Sequence, residues 1–267
     1  MKILMHLPGP GKAAGWLIFL VLVMTAVAAP LLAPRTPLET DLDHRLEPPS
    51  LFFPLGTDQL GRCVLSRIIY GARISMSGAL TASLLSLALG GIIGVLAALA
   101  RGVPKFFLTA VIDVGLAVPG LILALVIAGL LGGTMASLIL GLVAANWPWW
   151  ARLIRGLTLS AWQREYVLAG QAAGIKKTRL VTHYILPQMK APVMAAAALK
   201  TGRVILAFSG LSYLGLGPAP PAPEWGRMLQ EAGIYMTRAP WLIMAPGMAI
   251  TLAVAALNLI GKGSKRS

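Results

Sequence analysis

Cysteine is nearly absent from this chain: Cys63 is the only one in 267 residues, which excludes an intrachain disulfide and any cysteine cluster for metal. Histidine is also scarce, and His6, His44 and His183 lie too far apart in sequence to form a metal-ligand spacing. Acids number 9 against 23 Lys and Arg, and charged residues make up 12% of the chain, where a soluble domain carries about 25%. No nucleophile–base set or paired carboxylates can be assembled from so few groups, so the reading assigns no catalytic residues, no metal ligands and no cofactor to this chain. Gly9-Pro10-Gly11-Lys12 and Gly261-Lys262-Gly263-Ser264 combine glycine with lysine. Neither has the spacing of a phosphate loop or joins a strand to a helix, so both read as basic ends beside a membrane.

Apolar residues are abundant, at 57% of the chain with a mean hydropathy of +0.77. They come in runs of membrane length, near the roughly 20 residues a helix needs to cross the hydrocarbon core. Six such runs predict an all-α integral membrane protein of one domain, with six transmembrane helices at about 13–33, 74–100, 106–131, 134–150, 191–211 and 241–260. Gly90 with Gly94, and Gly129 with Gly133, have the small-x-x-x-small spacing that lets helices approach closely. The net charge of +14 does not point to nucleic acid, because the positive residues flank apolar spans instead of forming a patch with aromatics.

Charge distribution predicts the orientation. With the N-terminus inside, Lys2, Lys12, Arg101, Lys105, Arg152, Arg155, Arg164, Lys176, Lys177, Arg179, Lys190, Lys262, Lys265 and Arg266 are cytoplasmic against one acid, Glu165. Outside, Arg35, Arg45, Arg62, Arg67, Arg73, Arg227 and Arg238 are balanced by an equal number of acids. The positive-inside rule then places both termini in the cytoplasm. A cleaved signal peptide ending near Ala26-Val27-Ala28 is the rival reading of the first run, disfavoured because the apolar stretch continues beyond that site.

Residues 151–190 form a basic, polar island between two apolar runs. Each charge at the centre of a span costs roughly 2.5–3.5 kcal/mol, so the island lies in water. Ser160 and Gln163 have the spacing of a capping box, Gly174 sits where a C-terminal cap belongs, and Pro187 is expected to end a second short helix. That second helix would carry Leu180, Val181, Tyr184 and Ile185 on one face. Two short helices with an elbow suit docking to a partner.

Three stretches carry a family resemblance: PLGTDQLGRCVLSRIIYGARISM at 54–76, the island with REYVLAGQAAG at 164–174 and YILP at 184–187, and LSYLGLGPAPPAPEWGRML at 211–229. Together they resemble the second, shorter permease type of the dipeptide/oligopeptide/nickel ABC importers of bacterial inner membranes. The resemblance implies that the island is a coupling loop docking on a separate ATPase subunit, with Ala169, Gly170, Gly174, Leu186 and Pro187 on matching positions and Glu165 just upstream as a further coupling residue. Leu168 departs from the glutamate that marks the general loop pattern, and Cys63 stands where the family usually has aspartate. The partners it implies are a homologous second permease, two ATPase subunits that bind ATP and Mg²⁺, and an extracytoplasmic solute-binding protein. The mechanism it implies is alternating access. The proline-rich 218–223 segment before Glu224-Trp225-Gly226 reads equally as an external gate or binding-protein contact and as a rigid connector.

Lys200 and Arg203, three residues apart in the fifth run, share a helix face, and Asp113 in the third run is a candidate partner. These three are the candidate pathway residues, since ionisable groups within spans face a bundle interior or a wet path, or else pair. Short peptides, nickel and nickel chelates are the substrate classes the resemblance implies. Trp149-Trp150-Ala151-Arg152, Gln163-Arg164-Glu165-Tyr166 and Ser209-Gly210-Leu211 lean toward the nickel branch, whereas Lys200 and Arg203 would repel a bare cation. An ion-gradient-driven secondary transporter is the alternative; it would need intramembrane relay acids and often an internal repeat, and Asp113 alone offers the first.

Overall fold

A computed structural model describes residues 10–262, so the terminal charges Lys2, Lys265 and Arg266 used for orientation lie outside the described residues. Among the described residues the regular structure is helical apart from a single bridge between Thr57 and Cys63. The helices are α1 (Pro10–Val27), α2 (Ala29–Leu32), α3 (Val64–Leu99), α4 (Gly102–Ala117), α5 (Gly120–Leu130), α6 (Met135–Trp162), α7 (Glu165–Ala172), α8 (Lys177–Leu180), α9 (Leu186–Tyr213), α10 (Trp225–Ala232) and α11 (Trp241–Lys262). Three helices are long and apolar enough to cross a membrane: α3, the continuous rod from Lys177 to Tyr213, and α11. The pair α4 and α5 has the length of a fourth but bends by 88° between its halves.

That bend departs from the single run expected at 106–131. Pro119 is the cause: it biases Val118 to extended backbone, which it adopts at φ −82°, ψ 129°. The first run is likewise divided, since the helix breaks at Ala28 and α2 restarts around Pro30. At 134–150 the helix runs on to Trp162, and at 191–211 it begins earlier, so the elbow of the island between these longer helices shrinks to about residues 163–176, with α7 inside it. Ser160 therefore does not cap a helix; it lies inside α6, whose last turns are held by the burial of Ile154, Thr158 and Ala161. Nor does Pro187 end a helix. A π-helical turn, Val181–Ile185, precedes it and rearranges the hydrogen bonds where Pro187 lacks an N–H, so the rod continues into α9.

The core is built on small residues. A Cβ on Gly90 would stand 2.5 Å from Trp147 O, and one on Gly94 2.6 Å from Ala151 O, so α3 and α6 meet backbone to backbone. The second expected glycine pair behaves differently: Gly129 makes no such approach, and Gly133 lies in the turn before α6 at φ +63°. Around the α3–α6 contact, Ala79, Ala82, Leu138, Leu142, Ile205 and Phe208 are buried as one cluster, against which α11 packs with Ala253 and Leu257.

Candidate functional site: elbow, groove and clamp

The elbow is a small apolar core with a polar skin. Val167, Leu180 and Ile185 are wholly buried beside Ile154 and Ala161. Gly170 is buried too, and a Cβ there would lie 2.8 Å from Leu180 Cδ2, so glycine lets α7 close onto α8. Gly174 takes φ +77°, the left-handed conformation that favours glycine, and turns the chain between them. The Tyr166 hydroxyl donates to Gln188 Oε1 at 2.8 Å, fastening α7 to the start of α9. Glu165, Ala169, Gly174, Leu186 and Pro187 all remain exposed, as does Leu168, so of the six expected coupling positions only Gly170 faces inward. Of the expected apolar face, Leu180, Val181 and Ile185 are buried, while Tyr184 keeps 38% of its surface exposed.

Halfway along α9 lies a groove. Lys200 and Arg203 share a face, as their spacing predicts, and both line clefts against α6. The Lys200 ammonium sits over the Trp149 ring, 5.0 Å from its centroid. Trp149, noted in the sequence only within the Trp149-Trp150-Ala151-Arg152 run, is thus part of this site; it lies about one turn beyond Asn146 on α6. Asp113 does not join the two cations. Arg152 Nη2 donates to Asp113 Oδ1 at 2.5 Å, tying α4 to α6 at an exposed position.

At the far end of α9 the first and third sequence motifs meet. Glu224 caps α10, accepting from Gly226 N at 3.0 Å and Arg227 N at 2.8 Å. Its carboxylate is fully buried and also accepts from Ser75 Oγ of α3, at 2.8 Å, and from Ser212 Oγ of α9. Ser75 in turn accepts from Trp225 N at 3.1 Å, while Trp225 Nε1 donates to Ile68 O at 3.1 Å. A Cβ on Gly226 would collide with Ser209 O, and one on Gly71 would meet the Trp225 ring at 2.7 Å. Alongside, Asp58 accepts from Arg62 Nε at 2.6 Å and from Arg67 Nη1, and both guanidiniums also reach Glu231, at 3.2 and 3.0 Å. Asp58, Arg62 and Arg67 are each nearly inaccessible, so two acids and two arginines neutralise one another across the 54–67 segment and α10. Cys63 is buried at the N-cap of α3 and makes no side-chain cap bond.

Apolar helices of membrane length, an exposed elbow at one end of α9 and a charged groove midway along it fit one class, a subunit of a membrane transport system. Residues 90–266 match the family described as binding-protein-dependent transport system inner membrane component. The chain is 38% identical over 259 residues to a di/tripeptide transport system permease protein of Pseudomonas aeruginosa, covering 95% of this chain and 86% of that one. It is 34% identical to a glutathione transport system permease protein of Pectobacterium atrosepticum (94% and 83% covered) and 33% identical to a nickel transport system permease protein of Escherichia coli (92% and 88%). The chain belongs to the family of binding-protein-dependent inner membrane components: it is the permease, a multi-pass and non-catalytic component of an ABC importer. Membership brings ATPase and binding-protein partners with it.

Proposed function

We propose that this permease crosses the inner membrane six times, with both termini and residues 151–190 in the cytoplasm, and forms the pathway together with a homologous second permease. Two ATPase subunits, which bind ATP and Mg²⁺, dock on the elbow, and an extracytoplasmic solute-binding protein delivers the solute to the opposite end. The observation that carries this reading is the unbroken helical rod from Lys177 to Tyr213. One end of that rod packs against α7 through Leu180, its middle bears Lys200 and Arg203, and its other end holds Glu224 through Ser212. At 1.5 Å per residue the rod spans about 55 Å, so a displacement of the elbow moves groove and clamp together.

In this reading Glu165, Ala169, Gly174, Leu186 and Pro187 meet the ATPase directly, while Gly170 shapes the elbow from within. Exposed Leu168 adds an apolar contact where the general pattern has an acid. Lys200 and Arg203 line the path, and Asp113 borders it through Arg152. Short peptides are the substrate class the reading favours, with anionic nickel chelates as the metal-bearing variant; a positive mid-span groove disfavours free Ni²⁺. The names of the three relatives, for di/tripeptide, glutathione and nickel transport, span the same classes.

The test is Gly174→Val. A branched residue at φ +77° is strained by about 1–2 kcal/mol, so the elbow should distort while insertion is unaffected. ATPase copurification and solute uptake are expected to fall together. Normal values of both in a normally inserted variant would overturn the docking role.

A further inference from the structure

Lys200 and Arg203 line two clefts at once. One, of about 460 Å³, lies between α6 and the first half of α9, beside Trp149, Leu153 and Pro192. The other, of about 300 Å³, is bounded by the α4–α5 bend, α6 and α9, and adds Asn146 and Ala207. Among the described residues no acid pairs with either cation, and the nearest sequence candidate, Asp113, is held by Arg152. Two unpaired positive charges near the middle of a long apolar rod are costly in lipid, and they are tolerated where a water-filled path or an anion meets them.

The three groups have complementary abilities. Arg203 offers a planar fork suited to both oxygens of a carboxylate, and Lys200 offers a point charge. Trp149 holds the lysine in place, so less side-chain freedom remains to be lost on binding. Asn146 donates to Leu142 O at 2.7 Å, which leaves its amide oxygen as an acceptor in the same cleft.

We propose that Lys200, Arg203 and Trp149 form a mid-span recognition site for the free carboxylate of the transported solute, a selectivity step in the permease beyond that of the binding protein. The proposal rests on the reading that this groove is the pathway. Asn146 then accepts from an amide or ammonium N–H of the same solute.

The experiment uses the assembled importer, purified through a tag on this chain, with Ala207→Cys in a Cys63→Ser background. Modification rates are measured with a sulfonate-bearing and a trimethylammonium-bearing methanethiosulfonate. The anionic reagent is expected to gain at least about ten-fold over the cationic one, relative to free cysteine, because two unit charges border the thiol in a site of reduced dielectric. Lys200→Gln with Arg203→Gln should abolish that preference, and millimolar dialanine should slow modification while its C-terminal amide does not. Modification without charge preference, or equal effects of dialanine and its amide, would overturn the carboxylate site and leave the pathway standing. No modification by either reagent would instead overturn the pathway reading itself. If the double variant does not assemble, each single Gln variant must lower the charge preference, and no change in either refutes the proposal.

Discussion

Arg152 Nη2 lies 2.5 Å from Asp113 Oδ1, so the lone acid among the apolar runs is committed to α6 and not to the cations on α9. Both side chains are more than half exposed, at 60% and 53%, which makes the pair a weak contributor to stability.

Asp113→Asn should therefore leave expression and assembly intact, with a change below about 1 kcal/mol. Thermal denaturation of the detergent-solubilised complex checks this. A large drop in the midpoint would show that the Asp113–Arg152 pair carries far more than an exposed ion pair.

Glu224 is different because burial leaves no water to replace its partners. Glu224→Ala would strand the hydroxyls of Ser75 and Ser212 and two backbone N–H groups of α10, and should cost about 3 kcal/mol or more, with Glu224→Gln milder. Yield of folded subunit by size-exclusion fluorescence measures the order. Equal yields for wild type and Glu224→Ala would contradict the clamp.

Close approach of α3 and α6 makes Gly90 intolerant of a side chain. Gly90→Val places its Cβ 2.5 Å from a carbonyl oxygen and should cost more than the 1–3 kcal/mol typical of overpacking, because backbone must move. Gly91 has open space at the same depth, so Gly91→Val is the matched control and should retain expression.

Topology is testable with thiols, although not with the native one. Cys63 is only 2% exposed, so an impermeant maleimide should leave it unmodified until the protein unfolds. Cys63→Ser supplies a hydroxyl at the N-cap of α3 and is expected to be neutral or stabilising by about 1 kcal/mol. In that background Leu51→Cys, at a fully exposed position, should label from outside, and Ala169→Cys, in cells making this subunit without the ATPase that would cover it, only after permeabilisation. Labelling of position 169 in intact spheroplasts would reverse the orientation.

Part of this architecture is legible in the residue pattern alone. Gly174 announced a left-handed turn, and the i, i+3 spacing put Lys200 beside Arg203. What failed were local signals that packing outvoted. Ser160 and Gln163 match a cap, yet burying Ile154, Thr158 and Ala161 keeps α6 helical through that point. Pro187 looks like a terminator, yet a single π turn absorbs its missing donor.

By itself, the sequence determined the class of this protein: apolar runs require a membrane, and the scarcity of acids and histidines leaves no catalytic set. These follow from transfer energies that each segment carries wherever it sits. Only the tertiary structure decided which charges meet. Arg62 with Glu231, Ser75 with Glu224, and Asp113 with Arg152 are separated by 39 residues or more and are joined by tertiary packing alone. A charge's cost can be read from its own span, but its partner is set by the packing that brings another span within hydrogen-bond distance.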